Sequence, residues 1–121
     1  MDLNCSTFTL DAIELGMEDC VFCKIIKKEI PSQIVKETKD FLVFADLHPA
    51  ASTHLLIIPK EHYEDVLSTP NEVWEGIRYV ALDLQKQLAL PGFRLENNAG
   101  TMAEVKHFHV HFKSGGDIKQ K

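Results

Sequence analysis

Apolar positions switch between helical and strand periods along the chain, and the switches mark the elements. In EDCVFCKIIKKE (18–29), Val21, Phe22, Ile25 and Ile26 share a helical face, and Ile30-Pro31 stops the segment, which predicts a short helix. IVKE (34–37) and FLVFADL (41–47) read as strands parted by the polar turn Thr38-Lys39-Asp40. THLLIIP (53–59) reads as a third strand, apolar on both sides and closed by Pro59. Thr69-Pro70-Asn71-Glu72 has the form of a capping box, with Thr69 as N-cap, Pro70 at the first helical position and Glu72 three residues after the cap. Val73, Ile77, Val80, Leu84 and Leu88 follow at helical spacing, widened by Trp74 and Ala81, with Glu75, Arg78, Asp83 and Lys86 off the stripe. Pro91-Gly92 ends that long helix near Leu88–Leu90. FRLEN (93–97) and VKHFHVHF (105–112) make two further strands around the loop NAGTMAE.

Five strands, one short helix and one long helix predict an α+β domain: an antiparallel sheet with its helices on one side. The domain is expected over residues 18–113. Residues 1–17 read as an N-terminal extension whose Leu3, Phe8, Leu10, Ile13 and Leu15 can dock on the domain, and residues 114–121 as a polar C-terminal tail that frays.

Composition narrows the partners. A net charge of -5 argues against a general binder of nucleic acid or anionic membrane, because phosphate contacts need a basic surface. A small anionic ligand remains compatible, held locally by helix ends and imidazoles. No run is long and apolar enough for a membrane span, and MDLNCSTFTLDAIELG carries no basic, then apolar, leader pattern. Three cysteines, Cys5, Cys20 and Cys23, fit a reducing compartment better than a disulfide framework, so a cytoplasmic protein is expected.

Half of the six histidines fall in KHFHVHF. On a strand, His107, His109 and His111 line one face and Phe108, Val110 and Phe112 bury on the other. A polar face turned to solvent is the blander reading, and strict alternation of three imidazoles speaks against it. Two kinds of chemistry remain open: a three-imidazole metal site, or nucleophilic attack on phosphorus by a neutral imidazole with its neighbours moving protons. Cys20-Val21-Phe22-Cys23 places two sulfurs one helical turn apart. It reads as a redox pair, as two small core residues, or as half of a zinc site completed by histidines. Asp46 is either a turn aspartate or a bidentate acceptor for a diol beside the apolar Leu47.

HFHVHF resembles the alternating-histidine signature of the histidine-triad (HIT) superfamily. The stretch 20–62, with CVFCKI, EIPS, FADLHPAASTH and LLIIPKEH in order, is similar to the Hint branch of CxxC type. The resemblance covers Asp19 to Phe112. It implies an α+β domain that dimerises into a ten-stranded sheet. It also implies a purine nucleoside phosphoramidase or nucleotidyl hydrolase acting at the α-phosphate through a nucleotidyl-histidine. By this resemblance His109 is the nucleophile, His111 contacts the phosphate and aids proton transfer, and His54 completes the network. Asp46 holds the ribose, Phe22, Ile25, Phe44 and Leu47 form the base slot, and Asn98 lies near the phosphate. Cys20, Cys23, His62 and His107 hold a structural zinc, with no organic cofactor. A purine nucleoside monophosphate or its phosphoramidate is the ligand.

The chain departs from the pattern just before the triad. Met102-Ala103-Glu104 stands where Gly-Gln-Ser/Thr is usual, so Glu104 replaces a hydroxyl near the phosphate. A carboxylate there repels phosphate unless it is protonated or meets a cationic amine. The loop 98–107 is about two residues short by comparison, and Lys113 stands where an apolar residue is usual. The alternative implied is a nucleotide-binding or interaction protein with weak catalysis.

Overall fold

Thr38 closes the first hairpin: its N–H donates to the Phe41 carbonyl over 2.9 Å, and its Oγ1 accepts from the Phe41 N–H over 3.0 Å. The computed structural model describes residues 20–117; the expected extension 1–17 and residues 118–121 of the expected tail lie outside them. Five strands follow: β1 (Ile34–Glu37), β2 (Phe41–Ala45), β3 (Ala51–Pro59), β4 (Arg94–Glu96) and β5 (Val110–Asp117). They form one antiparallel sheet in the order β1-β2-β3-β5-β4. Two helices join it, α1 (Val21–Ile26) and α2 (Asn71–Gln87), with 3-10 turns at Val66–Ser68 and Gly100–Met102.

The helices lie on opposite faces, not on one. Phe41, Val43, Leu55, Ile57, Val110 and Phe112 pack against Ile77, Val80, Ala81 and Leu84 of α2. The alternate set, Leu42, Phe44, Leu56 and Ile58, packs against Phe22, Cys23 and Ile25 of α1. The cause is the unbroken apolar runs of β2 and β3, which need cover on both faces. Registers Leu42↔Ile58, Phe44↔Leu56 and Leu56↔His111 continue the α1-side face across the sheet.

Two further expectations need correction. The capping box does not form: Pro70 is the N-cap and supplies no side-chain bond, while the Thr69 hydroxyl donates back to the Asp65 carbonyl over 2.7 Å. Strand β5 begins at Val110, five residues later than read, and runs on to Asp117 into the expected tail, where Thr53↔Ser114 and Ala51↔Asp117 pair. Its extension follows from a partner: β3 starts at Ala51, and its N-terminal end offers a ladder to Ser114–Asp117. In α2, Gly76 permits close packing, because a Cβ there meets Phe41 Cε2 and Cζ at 2.5 Å. Among the described residues no helix is long and apolar enough to cross a membrane.

Candidate functional site

The alternation in KHFHVHF holds, although only His111 of its histidines lies within β5 proper. Phe108, Val110 and Phe112 fill the α2-side core, and Trp74 meets Phe108 edge-on at 5.3 Å. Just ahead of the strand, the Phe108 N–H donates to the Tyr63 carbonyl over 2.6 Å. His107, His109 and His111 therefore face the α1 side.

Hydrogen-bond partners fix each imidazole. A carbonyl only accepts, so His107 Nε2–H donates to Pro59 O over 2.9 Å, and the Nδ1 lone pair is left free. His109 Nδ1–H donates to the His107 carbonyl over 2.8 Å, which leaves the lone pair on Nε2. The Ala50 N–H donates to His54 Nδ1 over 2.8 Å, so His54 carries its proton on Nε2. That Nε2 is 2.9 Å from His111 Nδ1 and 3.3 Å from Asp46 Oδ2. His111 Nδ1 thus accepts, and its proton sits on Nε2. The second Asp46 oxygen, Oδ1, accepts from the His48 N–H over 2.8 Å.

These groups border a cleft of about 300 Å³, the lower end for a small-molecule site. Phe22, Ile25, Phe44 and Leu47 line its apolar part, and Asp46, His109, His111, Asn98 and Glu104 its polar part. Every sequence-expected nucleotide-binding residue is brought to this one cleft. His54 is not in the lining; it lies behind it, buried, and acts through His111 and Asp46. Phe22 stands edge-on to both Phe44, at 5.6 Å, and His109, at 5.1 Å.

Burial keeps the imidazoles neutral. It is the largest cause at His111, which is pushed down to about 4, with the positive forms of His109 and His54 adding to the effect and Asp46 opposing it. Burial likewise lowers His54 and His109; Asp46 opposes it at both, and Glu104 opposes it at His109.

Behind the cleft, Sγ of Cys20 and Cys23 and Nδ1 of His62 and His107 converge within 4.8 Å of one another. Cys20 is the N-cap of α1, and its sulfur accepts from the Cys23 N–H over 3.3 Å. Cys20 Sγ and Cys23 Sγ lie 3.3 and 3.4 Å from His107 Nδ1, Cys23 Sγ lies 3.2 Å from His62 Nδ1, and the two Nδ1 atoms lie 3.1 Å apart. Tetrahedral zinc bonds of about 2.0–2.3 Å give edges of about 3.3–3.8 Å, close to these separations. Because the Pro59 carbonyl accepts from the Nε2–H of His107, a lone pair points into the group, so with both cysteines as thiolates the donor set fits a metal ion. Asp46, His54 and His111 also converge. There the proton that Ala50 forces onto His54 Nε2 occupies the position a ligand lone pair would need, and the group is a hydrogen-bond chain.

Two contributors escaped the sequence reading. Asn97 Nδ2 donates to the His109 carbonyl over 2.8 Å and holds the histidine backbone. Buried Asp65 accepts from Gly100 N–H over 2.8 Å and from Leu67 N–H over 3.0 Å, pinning the loop that carries Asn98 and Glu104. The only sequence signal for Asp65 is an acid ahead of a short turn. Asn97 sits beside Asn98, and nothing local separates their roles.

The sequence and fold match known proteins. Adenosine 5'-monophosphoramidase HNT1 of Saccharomyces cerevisiae is 40% identical over 104 residues, 86% of this chain and 62% of the yeast protein. A histidine triad protein from Clostridium difficile is 37% identical, with TM-score 0.78 over 85% of this chain and 96% of the other. A HIT family hydrolase from Clostridium thermocellum is 39% identical, with TM-score 0.77 over 86% and 96%. The HIT domain family profile matches residues 27–116. The chain therefore belongs to the HIT domain family.

Proposed function

We propose that the cleft binds a purine nucleoside monophosphate and hydrolyses its phosphoramidates through a nucleotidyl-histidine at His109, as a Hint-type member of the family. The observation that carries this reading is the His109 tautomer: the His107 carbonyl takes the Nδ1 proton, so Nε2 of a cleft-lining imidazole keeps its lone pair. The yeast relative's phosphoramidase activity supports the same choice.

The base stacks among Phe22, Ile25, Phe44 and Leu47, and the ribose hydroxyls reach Asp46. His109 Nε2 attacks phosphorus, the P–N bond breaks, and its electron pair leaves on the amine. An anionic phosphate beside His111 raises its affinity for a proton; the new Nδ1–H turns from His54 toward Asp46 Oδ2, 3.8 Å away, and the imidazolium gives its Nε2 proton to the departing nitrogen. In the second half water attacks phosphorus and gives a proton to His111. The His109–P bond then breaks, its pair returns to Nε2, and the nucleoside monophosphate departs. His54 holds His111 in the required tautomer and Asn98 lies at the phosphate end.

Cys20, Cys23, His62 and His107 would hold a structural zinc, which ties α1 to the segment leading into β5. That division leaves His109 and His111 for phosphate chemistry. A homodimer through the β4 edge is part of the proposal: β4 is three residues long at the sheet margin, and Leu95, Tyr79 and Leu82 are exposed there and on α2.

Turnover of an adenosine 5'-phosphoramidate by the wild type, with an adenylyl adduct on His109 trapped for mass spectrometry, is the expected result. His109→Ala should show neither. Glu104 in the cleft wall favours the second reading, nucleotide binding with weak catalysis. Tight AMP binding without turnover, restored in Glu104→Ser, would select it.

A further inference from the structure

Charge in the cleft is one-sided. Among the described residues, Asp46 and Glu104 are the only formally charged side chains lining it, and no lysine or arginine joins them. His54 and His111 do not compensate, since burial holds both toward their neutral forms. Two lysines close to the site in sequence are engaged elsewhere. Lys106 Nζ donates to the Gly100 carbonyl over 2.6 Å, and Lys113 Nζ is held by Glu96 at 2.6 Å.

Asp46 is accounted for by the His48 N–H and by His54. Glu104 is not: it is exposed, and it forms no ion pair or hydrogen bond among the described residues. Its loop is held in place, pinned to Asp65 at Gly100 and bridged by Lys106. It lines the same cleft as His109 and His111. An acid in the cleft wall beside an anionic phosphate is unfavourable unless the ligand itself brings a cation to that wall.

We infer that Glu104 selects phosphoramidates whose leaving amine carries a second, positively charged group, such as a diamine or a lysine-like side chain. This rests on the phosphoramidase reading and deepens it. A substrate with an anionic phosphate and a cationic leaving group is close to neutral overall. It places its negative charge at the imidazoles and its positive charge at Glu104. A neutral leaving group leaves the Glu104–phosphate repulsion uncompensated, and an anionic one adds to it.

The test is kcat/KM on three adenosine 5'-phosphoramidates of matched length: N-(3-aminopropyl), N-propyl and N-(2-carboxyethyl). The wild type is expected to prefer the cationic over the neutral substrate by about fivefold, as a partly exposed charge contact gives, and the neutral over the anionic by a similar factor. Glu104→Gln should compress the series, and Glu104→Lys should reverse it. In the wild type alone, added salt should shrink the spread, which needs no variant to fold. Turnover with no charge preference, or a preference that survives Glu104→Gln, overturns the inference and leaves the phosphoramidase reading standing. Turnover of none of the three overturns both.

Discussion

His54 Nε2 lies 2.9 Å from His111 Nδ1, and the direction of the proton between them is set at the far side of His54 by the Ala50 N–H. A main-chain donor in the β2–β3 loop thus determines which nitrogen of His111 can serve a substrate. Replacing His54 by Ala removes the donor to Nδ1 and lets His111 change tautomer. The expected loss in kcat is about 100-fold, with a smaller change in KM. An unchanged kcat in a folded His54→Ala protein would rule out the chain of protons.

Asn97 acts one step further back. Its amide donates to the carbonyl of buried His109 over 2.8 Å. Asn97→Ala should cost about 1–3 kcal/mol in urea unfolding, because a buried acceptor loses its donor. Asn97→Asp should cost at least as much, since a carboxylate cannot donate. Turnover should fall in both variants. Stability equal to wild type in either would remove Asn97 from the site's support.

Much of this site was legible in KHFHVHF and CVFC, because side-chain alternation and helical spacing are local properties. His107, His109 and His111 share a face as expected; that Cys20, Cys23 and His62 meet His107 came from the family resemblance, not from local spacing. The two-sided sheet was legible in principle from LLII in β3, whose unbroken apolar run needs two covers. It was misread by treating both helices as one layer. Strand limits failed where partners decide them: Ser114–Asp117 pair because β3 begins at Ala51, a long-range fact. The capping box failed because Asp65, four residues away, takes the Thr69 hydroxyl. Asn97 and the loop-pinning role of Asp65 were invisible because the partners concerned, the His109 carbonyl and the Gly100 N–H, are main-chain groups distant in sequence.

Gly76 tests the α2 side of the sheet without touching the cleft. A methyl group there enters the space of the Phe41 ring at 2.5 Å. Gly76→Ala gains helix propensity but overpacks, and the net expectation is a loss of about 1–3 kcal/mol. The pair Gly76→Ala with Phe41→Leu should recover part of that loss. A Gly76→Ala protein as stable as wild type would show that the ring moves freely.

Acid should destabilise the fold through the same imidazoles that serve the site. The folded value of His111 is lowered from 6.5 to about 4, chiefly by burial. Between those values the unfolded chain binds a proton that the folded chain refuses, so stability is present above pH 6.5 and is lost as pH falls toward 4. His111 alone accounts for roughly 3 kcal/mol at the low end of that window. His54 is shifted in the same direction and adds to the trend. Urea unfolding across the window should show the slope, and His111→Phe should flatten it. An equal slope in that variant would place the acid sensitivity elsewhere.

The proposed zinc makes the sharpest stability claim. His107 is fully buried with its Nδ1 lone pair 3.1 Å from His62 Nδ1, a position from which both nitrogens could serve one cation. Elemental analysis should find one zinc per chain. Removing it with a strong chelator should lower the melting temperature by about 10 °C, since metal affinity counts as folding energy in a domain this small. Readdition should restore it. Cys20→Ser should lose the metal and show the low melting temperature from the start. It should also leave α1 poorly held, so turnover falls with it, because Phe22 and Ile25 of that helix line the cleft. A metal-free protein whose melting temperature ignores both chelator and added zinc would refute the site.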